Sequence, residues 1–509
     1  MPESINTNNK KIAKNTIFLY IRMFLMMGVS LYTSRMILQI LGIEDFGIYN
    51  VVAGIVVLFS FLNNAMAIAS QRFLSFALGK NEKNEVERVF SLSLTSHIII
   101  ALIVILIAET IGLYFLYKMN FPQERITAIN WTYQIAVITC CINIIRVPYN
   151  ASIIAYEKMS FYAWISIIEV VLKLIIVFFL LIIEGDKLIY YSLLLLGVTI
   201  IINTTYKLYC NNHFPISKYH FFWDSKLFKE FIGFSGWSLA GSLANVGAQQ
   251  GLNMIINIFC GVIVNAAVGI CNQVTAAVSQ FLGNFQTAFN PQLVKSYASG
   301  DKAYFLNLII KSSKFSYFLM LIISVPVIIN CNFFLTIWLG EIPKYAVEFS
   351  QLMIIYLLVD AISGPLWISV QATGKIKNYQ LLMASLILMN LPLSLLLMYL
   401  KLSPIYIFVG RVIINIITLI ARIVYLKQLI ALPIYRFMKE VIGKIFLVTL
   451  VAVPLPFWIK LNTITNWTYV IFTSFICIIT SSLSIYLLGL TKGEKSLIYT
   501  FFYRKIIKR

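Results

Sequence analysis

Charge is what this sequence has least of. Only 12% of its 509 residues are Asp, Glu, Lys or Arg, about half the share in a soluble domain. Beside 60% hydrophobic residues, that scarcity leaves too little polar surface to cover a soluble core, and too much apolar side chain for a disordered chain. Histidine is rarer still: His97, His213 and His220 are too scattered to surround a metal. The seven cysteines, Cys140, Cys141, Cys210, Cys260, Cys271, Cys331 and Cys477, lie in or near apolar stretches, with no zinc-site or disulfide-framework spacing. The phosphate loop G-x-x-x-x-G-K-[ST] is absent, which argues against ATP hydrolysis by this chain. A D-x-D metal motif is absent too. No enzyme activity, catalytic residue, metal or cofactor is expected.

Long apolar runs are abundant, and the mean hydropathy is +0.85. A helical membrane span needs about 20 such residues. The pattern predicts an all-α, polytopic membrane protein of about 14 transmembrane helices, at 15–41, 48–70, 89–117, 129–145, 160–183, 188–209, 231–257, 263–290, 315–338, 345–370, 379–400, 403–425, 441–459 and 466–490. The first is no cleavable signal peptide: it is too long, contains Arg22 and Arg35, and lacks a small-residue cleavage site. With the N-terminus in the cytoplasm, cytoplasmic segments and the span ends beside them hold 30 of the 40 Lys and Arg, and external loops hold six. That bias obeys the positive-inside rule and places both termini in the cytoplasm. It also accounts for the net charge of +20, so nucleic acid is not expected as a partner; the lipid bilayer is. The longest external loop is 118–128 and the longest cytoplasmic loop 210–230, which leaves no room for a catalytic domain on either side.

An internal repeat is legible. G-I-Y-N at 47–50 matches G-I-C-N at 269–272, an offset of 222. Gln71, Ser75, Ala77 and Gly79 match Gln292, Ser296, Ala298 and Gly300 at offset 221, and Pro148, Lys158 and Tyr162 match Pro365, Lys375 and Tyr379 at offset 217. Asn143 then falls opposite Asp360. The collinear order predicts two parallel lobes with a substrate path between them. The division is a cytoplasmic N-terminus 1–14, an N-lobe 15–209 (spans 1–6), an inter-lobe loop 210–230, a C-lobe 231–425 (spans 7–12), spans 13–14 within 426–490, and a basic tail 491–509. The tail is either a leaflet-binding segment or a solvated one.

The stretches L-G-I-E-D-F-G-I-Y-N (41–50), Q-R-F-L-S-F-A-L-G-K (71–80) and R-V-P-Y-N-A-S-I-I-A-Y-E-K-M (146–159) resemble the polysaccharide-transport branch of the MOP superfamily, and the last resembles the Wzx-type O-antigen and capsule-unit flippases. That superfamily also contains the multidrug MATE transporters. The resemblance implies two six-helix lobes around a central cavity open alternately to each side. It implies that a polyprenyl-diphosphate-linked oligosaccharide, an O-antigen or capsular repeat unit, passes from the cytoplasmic to the external leaflet of a bacterial inner membrane. Other polysaccharide-assembly proteins are the expected partners, and where transport is coupled the expected ion is H+ or Na+. The alternative is a MATE-like multidrug or cation antiporter on the same fold. A membrane glycosyltransferase, polymerase or ligase is disfavoured by the short loops.

Seven ionisable residues fall inside spans more than three residues from an end: Arg22, Arg35, Glu109, Glu169, Lys173, Asp360 and Arg411. Facing lipid, each is disfavoured by at least about 2.5–3.5 kcal/mol, so they should face protein or a wet cavity. Arg22, Lys173 and Arg411 are the candidates for an anionic headgroup, because guanidinium and ammonium groups bind phosphate oxygens. Glu169 lies four residues before Lys173 on one helix face and is expected to pair with it or carry a coupling ion; Asp360 is expected in the same role. Asn245, Gln249, Asn253 and Asn257 recur every four residues on span 7, and Asn272, Gln273, Gln280 and Asn284 enrich span 8. Such amides bind sugar hydroxyls or join helices to one another. Pro148 and Pro365 are expected to end or kink their helices.

Overall fold

The computed structural model describes residues 15–29, 32–33, 36–37, 39–42, 45, 48–49, 52, 60–118, 122–214, 217–461 and 466–496. Arg35, the 1–14 segment, much of spans 1 and 2 and the end of the basic tail lie outside the described residues. No strand occurs among those described. Ten of their helices are long and apolar enough to cross a membrane, and these ten fall on the segments expected as spans 3–6 and 9–14.

The helices used below are α1 Asn15–Val29, α2 Ser60–Gly79, α3 Lys83–Ile107, α4 Ile126–Ala155, α5 Met159–Ile182, α6 Lys187–His213, α7 Ser225–Ala298, α8 Lys302–Ile329, α9 Ala346–Thr373, α10 Lys377–Tyr399, α11 Ile405–Ile430, α12 Ile434–Ile459 and α13 Trp467–Gly489. Side-chain caps start three of them, with Asn466 accepting from the Tyr469 amide ahead of α13. Asp186 accepts from the Leu188 and Ile189 amides ahead of α6, and Asp224 from the Lys226 and Leu227 amides ahead of α7, satisfying donors with no intrahelical partner. Asp186 has a second partner: Arg125 bridges it, at 2.7 Å, to Asp45, at 2.6 Å.

Helix α7 carries both expected spans 7 and 8 in 74 residues, broken by one non-helical residue, Gly261 (φ 79°, ψ −179°). A side chain there would meet a left-handed backbone, so glycine makes the break possible. Pro148 and Pro365 do not end their helices, which run on to Ala155 and Thr373. In each helix a serine four residues later bonds back to the proline carbonyl: Ser152 to Pro148 at 2.9 Å, Ser369 to Pro365 at 2.7 Å.

The chain divides into two compact units. The first holds residues up to 242 together with 287–301 and 371–377; the second holds 243–286, 302–370 and the rest from 378. The first unit's core joins α3, α4 and α6 through Val104, Ala108, Ile129, Tyr133, Val137 and Leu188. Tyr133 is fully buried and its hydroxyl donates to the Ala108 carbonyl at 2.8 Å. Gly112 leaves the space that hydroxyl fills. The second unit's core joins α7, α9 and α11 through Leu252, Val268, Phe349, Met353 and Phe408, with Phe349 and Phe408 stacked at 4.0 Å.

A buried ion pair ties the end of the second unit to α8. Lys314 Nζ lies 2.7 and 2.8 Å from the two Glu494 oxygens, with only 3% and 8% of the side chains exposed. Burial pushes the Glu494 carboxyl up, but the bonds from Lys314 and the Thr491 amide outweigh it and hold the group below its usual range. A depressed folded-state pKa contributes stability that is complete above the unfolded value, about 4.3, and lost as pH falls through the folded value. Glu494→Gln is therefore expected to destabilise the neutral-pH protein by about 3–5 kcal/mol, the usual result of stranding a buried charge. The gap to wild type should close below about pH 4. Thermal unfolding followed by tryptophan fluorescence across pH measures both.

Candidate functional site: two basic clusters and two helix-end clamps

Glu169 and Lys173 stand on the same face of α5, and Lys173 Nζ donates to Glu169 Oε1 at 2.8 Å. The other Glu169 oxygen faces Arg146 Nη1 of α4 at 3.4 Å. Helices α4 and α5 run antiparallel about a tight turn at 156–158. Arg146, nine residues before the end of α4, and Glu169, ten after the start of α5, thus lie at matching depths of about 14–15 Å from it. The Arg146 guanidinium sits 5.5 Å from the Tyr206 ring of α6. Arg22 of α1 stacks 4.3 Å over Tyr162 of α5, and Tyr206 also feels the charge of Arg22 and Glu169. Arg22 Nε is buried with no hydrogen-bond partner. The cluster holds three cations and one carboxylate, and the side chains of Lys173 and Glu169 remain 41% and 25% exposed.

The second unit holds a similar set. Arg411 of α11 lies 5.7 Å over Tyr356 of α9 and 5.9 Å from Phe408, and its buried Nη1 has no hydrogen-bond partner. Arg422, three turns further along α11, lies 5.8 Å from the Tyr379 ring of α10, and its buried Nε is likewise unpartnered. Asp360 lies on α9 one helical turn beyond Tyr356. Asn415 fixes α11 to α9 by donating to the Tyr356 carbonyl at 3.0 Å.

Of the expected residues, Glu169 and Lys173 are thus paired, with Arg22 on the neighbouring Tyr162 of the same helix, while Arg411 faces aromatic rings. Sequence reasoning missed Arg146 and Arg422. Arg146 sits one residue past the expected span 129–145 and Arg422 three residues from the cytoplasmic end of 403–425, so both read as flanking cytoplasmic cations, whereas α4 and α11 continue past them to Ala155 and Ile430. Glu109 is exposed and accepts from Gln134 at 3.1 Å. On α7, Asn245, Gln249 and Asn257 are exposed, and half-buried Asn253 donates to Gln250 of the same helix at 3.3 Å.

A different constellation lies at helix ends within the first unit. Arg72 of α2 donates to the Gln371 and Ala372 carbonyls at 3.1 and 3.4 Å. Those carbonyls end α9, where a cation meets the negative end of the helix dipole. Phe73 and Phe76 sit 4.5 and 4.9 Å from the guanidinium. The next residue but one, Gly374 (φ 76°), leaves room for it: a Cβ there would lie 2.6 Å from Arg72 Nη2. The second clamp centres on Glu157, whose side chain is 1% exposed. It accepts from Gln292 at 2.6 Å and Lys295 at 2.7 Å, both on α7. Alongside, Gly79 lets α2 touch the α7 backbone; a Cβ there would lie 2.7 Å from the Lys295 carbonyl oxygen.

The described residues hold no cluster of His, Cys, Asp and Glu able to bind a metal ion. No known family model matches the chain, and no curated protein matches it. Solved structures do. An outward-facing multidrug resistance MATE family transporter of the MOP superfamily superposes with a TM-score of 0.73 at 13% identity, over 83% of this chain and 96% of the other. A MOP superfamily transporter from Pyrococcus furiosus, described as having a binding pocket of reverse polarity that suggests a different function, gives 0.71 at 14% identity over the same shares. A MATE transporter in its straight conformation gives 0.71 at 13%, again over 83% and 96%. At such identities the likeness is one of fold, and the fold of this chain is that of the MATE transporters of the MOP superfamily.

Proposed function

We propose that this chain is a flippase that carries polyprenyl-diphosphate-linked oligosaccharide units, of the O-antigen or capsular kind, from the cytoplasmic to the external leaflet of a bacterial inner membrane by alternating access. The observation that carries the reading is the basic excess of the two clusters. Arg146 and Lys173 flank a single carboxylate, with Arg22 over Tyr162 of the same helix, and Arg411 and Arg422 both stand on α11 in the second unit. Unpartnered guanidinium nitrogens on Arg22, Arg411 and Arg422 suit an anion that supplies the missing acceptors. The amides of α7 suit sugar hydroxyls. A cation exporter gains nothing from that balance, and reversed pocket polarity in one solved relative is read as a sign of different function there too.

Two repeats, 15–209 and 231–425, are the proposed lobes. Three features recur with the offsets of the repeat. The Ser152–Pro148 bond corresponds to Ser369–Pro365 at offset 217. Glu157 (φ 59°) corresponds to Gly374 (φ 76°), also at 217. The helix end bearing Arg72 corresponds at 221 to the end bearing Gln292 and Lys295. Each helix end thus clamps the loop equivalent to the one its counterpart clamps.

A diphosphate carries roughly two negative charges, and each is favoured to leave a negative interior by about 2.3 kcal/mol per 100 mV. Potential alone can then drive the outward step. The test is proteoliposomes loaded with a polyprenyl-diphosphate oligosaccharide whose sugar is scored by an impermeant lectin. Outward movement should quicken when the side bearing the termini is made negative. Equal leaflet distributions with and without protein would sink the reading. The runner-up, a multidrug or cation antiporter, has the MATE fold in its favour; proton- or sodium-driven efflux of a cationic dye from the same vesicles would establish it instead.

A further inference from the structure

The connection between α6 and α7 reads as a solvated cytoplasmic loop in sequence, but its described part lies along α3. From Tyr219 to Phe222 it runs antiparallel to that helix. The Tyr219 hydroxyl meets Thr95 at 3.2 Å, the His220 amide donates to Ser91 at 3.4 Å, and Phe222 lies under Arg88 at 5.3 Å. Positions 88, 91 and 95 share one face of α3. Arg88 is the last charged residue before the apolar run of α3, and Thr95 lies seven residues, about 10 Å, further in. The headgroup layer is roughly 5–8 Å thick on each side of a bilayer. The segment therefore climbs through the whole of that layer.

Tyr219, His220 and Phe222 all contact α3, whereas Phe221 and Trp223 are 75% and 46% exposed, with Trp223 4.5 Å from the Phe228 ring of α7. Exposed Lys218 and Lys226 flank them. Large aromatic rings at headgroup depth, bracketed by lysines, are the chemistry of an interfacial anchor. We propose that residues 218–226 form a strap embedded in the headgroup layer of the cytoplasmic leaflet, with the Phe221 and Trp223 rings among the headgroups and Lys218 and Lys226 on anionic lipid headgroups. The partner is the lipid surface itself, and the inference holds whatever the transported substrate.

The test is a nitroxide placed singly at 221 or 223 in otherwise cysteine-free protein, reconstituted in phosphatidylethanolamine–phosphatidylglycerol vesicles. Accessibility to oxygen relative to a water-soluble nickel chelate reports depth. Labels at Ile103, at the middle of the apolar span 89–117, and Lys229, in the first turns of α7, give the membrane and aqueous references. Ratios at 221 and 223 several-fold above that at 229 are expected. Ratios equal to that at 229 would overturn the proposal and leave an aqueous or protein-facing loop. The Lys218→Glu, Lys226→Glu double variant should lower the ratio at 221 in the phosphatidylglycerol vesicles and leave it unchanged in neutral ones. No difference between the two would overturn the anionic-lipid contact.

Discussion

Lys173→Ala should abolish or strongly reduce outward movement of the diphosphate-linked substrate while the protein still inserts and folds. The fold is expected to survive because Glu169 keeps a second cation, Arg146 at 3.4 Å, when the lysine is gone. What is lost is the most exposed positive group of the cluster, at 41%, and with it a ligand that replaces water around phosphate in a low-dielectric path. Lys173→Arg should retain part of the rate. Arg146→Ala should resemble Lys173→Ala if the cations act together on the headgroup. Glu169→Gln should be milder if the carboxylate only orients its two partners, and as severe if it also carries a coupled proton or sodium ion. Initial rates in proteoliposomes under a fixed potential, beside a binding assay with the same substrate, separate loss of binding from loss of movement. A wild-type rate for Lys173→Ala would reduce the α5 pair to a structural salt bridge.

The other large effect is expected at the Glu157 clamp. Its carboxylate is almost wholly enclosed and takes two short bonds. Glu157→Lys sets an ammonium against Lys295 in that enclosure, and Lys295→Glu sets two carboxylates together. Each leaves buried charge unpaired, and transport should fall steeply in both. Gln292 can donate or accept by turning its amide, so the exchanged pair, Glu157→Lys with Lys295→Glu, should recover much of the activity. The coupling energy should reach at least about 1–3 kcal/mol. If the clamp is a cytoplasmic gate, the single variants should also raise the reactivity of thiols at the helix ends toward an impermeant reagent from that side. Strict additivity of the two substitutions would remove the clamp from the transport cycle.

Residues that titrate or donate inside apolar runs stand out because so few of them exist. Arg22, Lys173, Arg411, Glu169 and Asp360 were legible for that reason, as was the Glu169–Lys173 pair, which needs only helical spacing. Helix existence and the apolar spans were legible because length and hydropathy decide them. The fold of the two units was not, since helix packing depends on small local fits such as Gly112 beneath Tyr133 and Gly364 beneath Gln286.

The length and hydropathy of the apolar runs, with the charge balance, thus made this a helical chain with membrane-spanning segments and a basic excess. Tertiary structure decided which charges meet. Arg146 and Arg422 were hidden in sequence because a residue near the end of an apolar run reads as a loop cation until the helix is seen to continue past it. Arg72, Glu157, Gln292 and Lys295 were hidden because their partners lie 135 to 300 residues away, and no local pattern encodes a contact across such a distance. Spacing along a helix fixes which side chains share its face; only the packing of one helix against another fixes what that face meets.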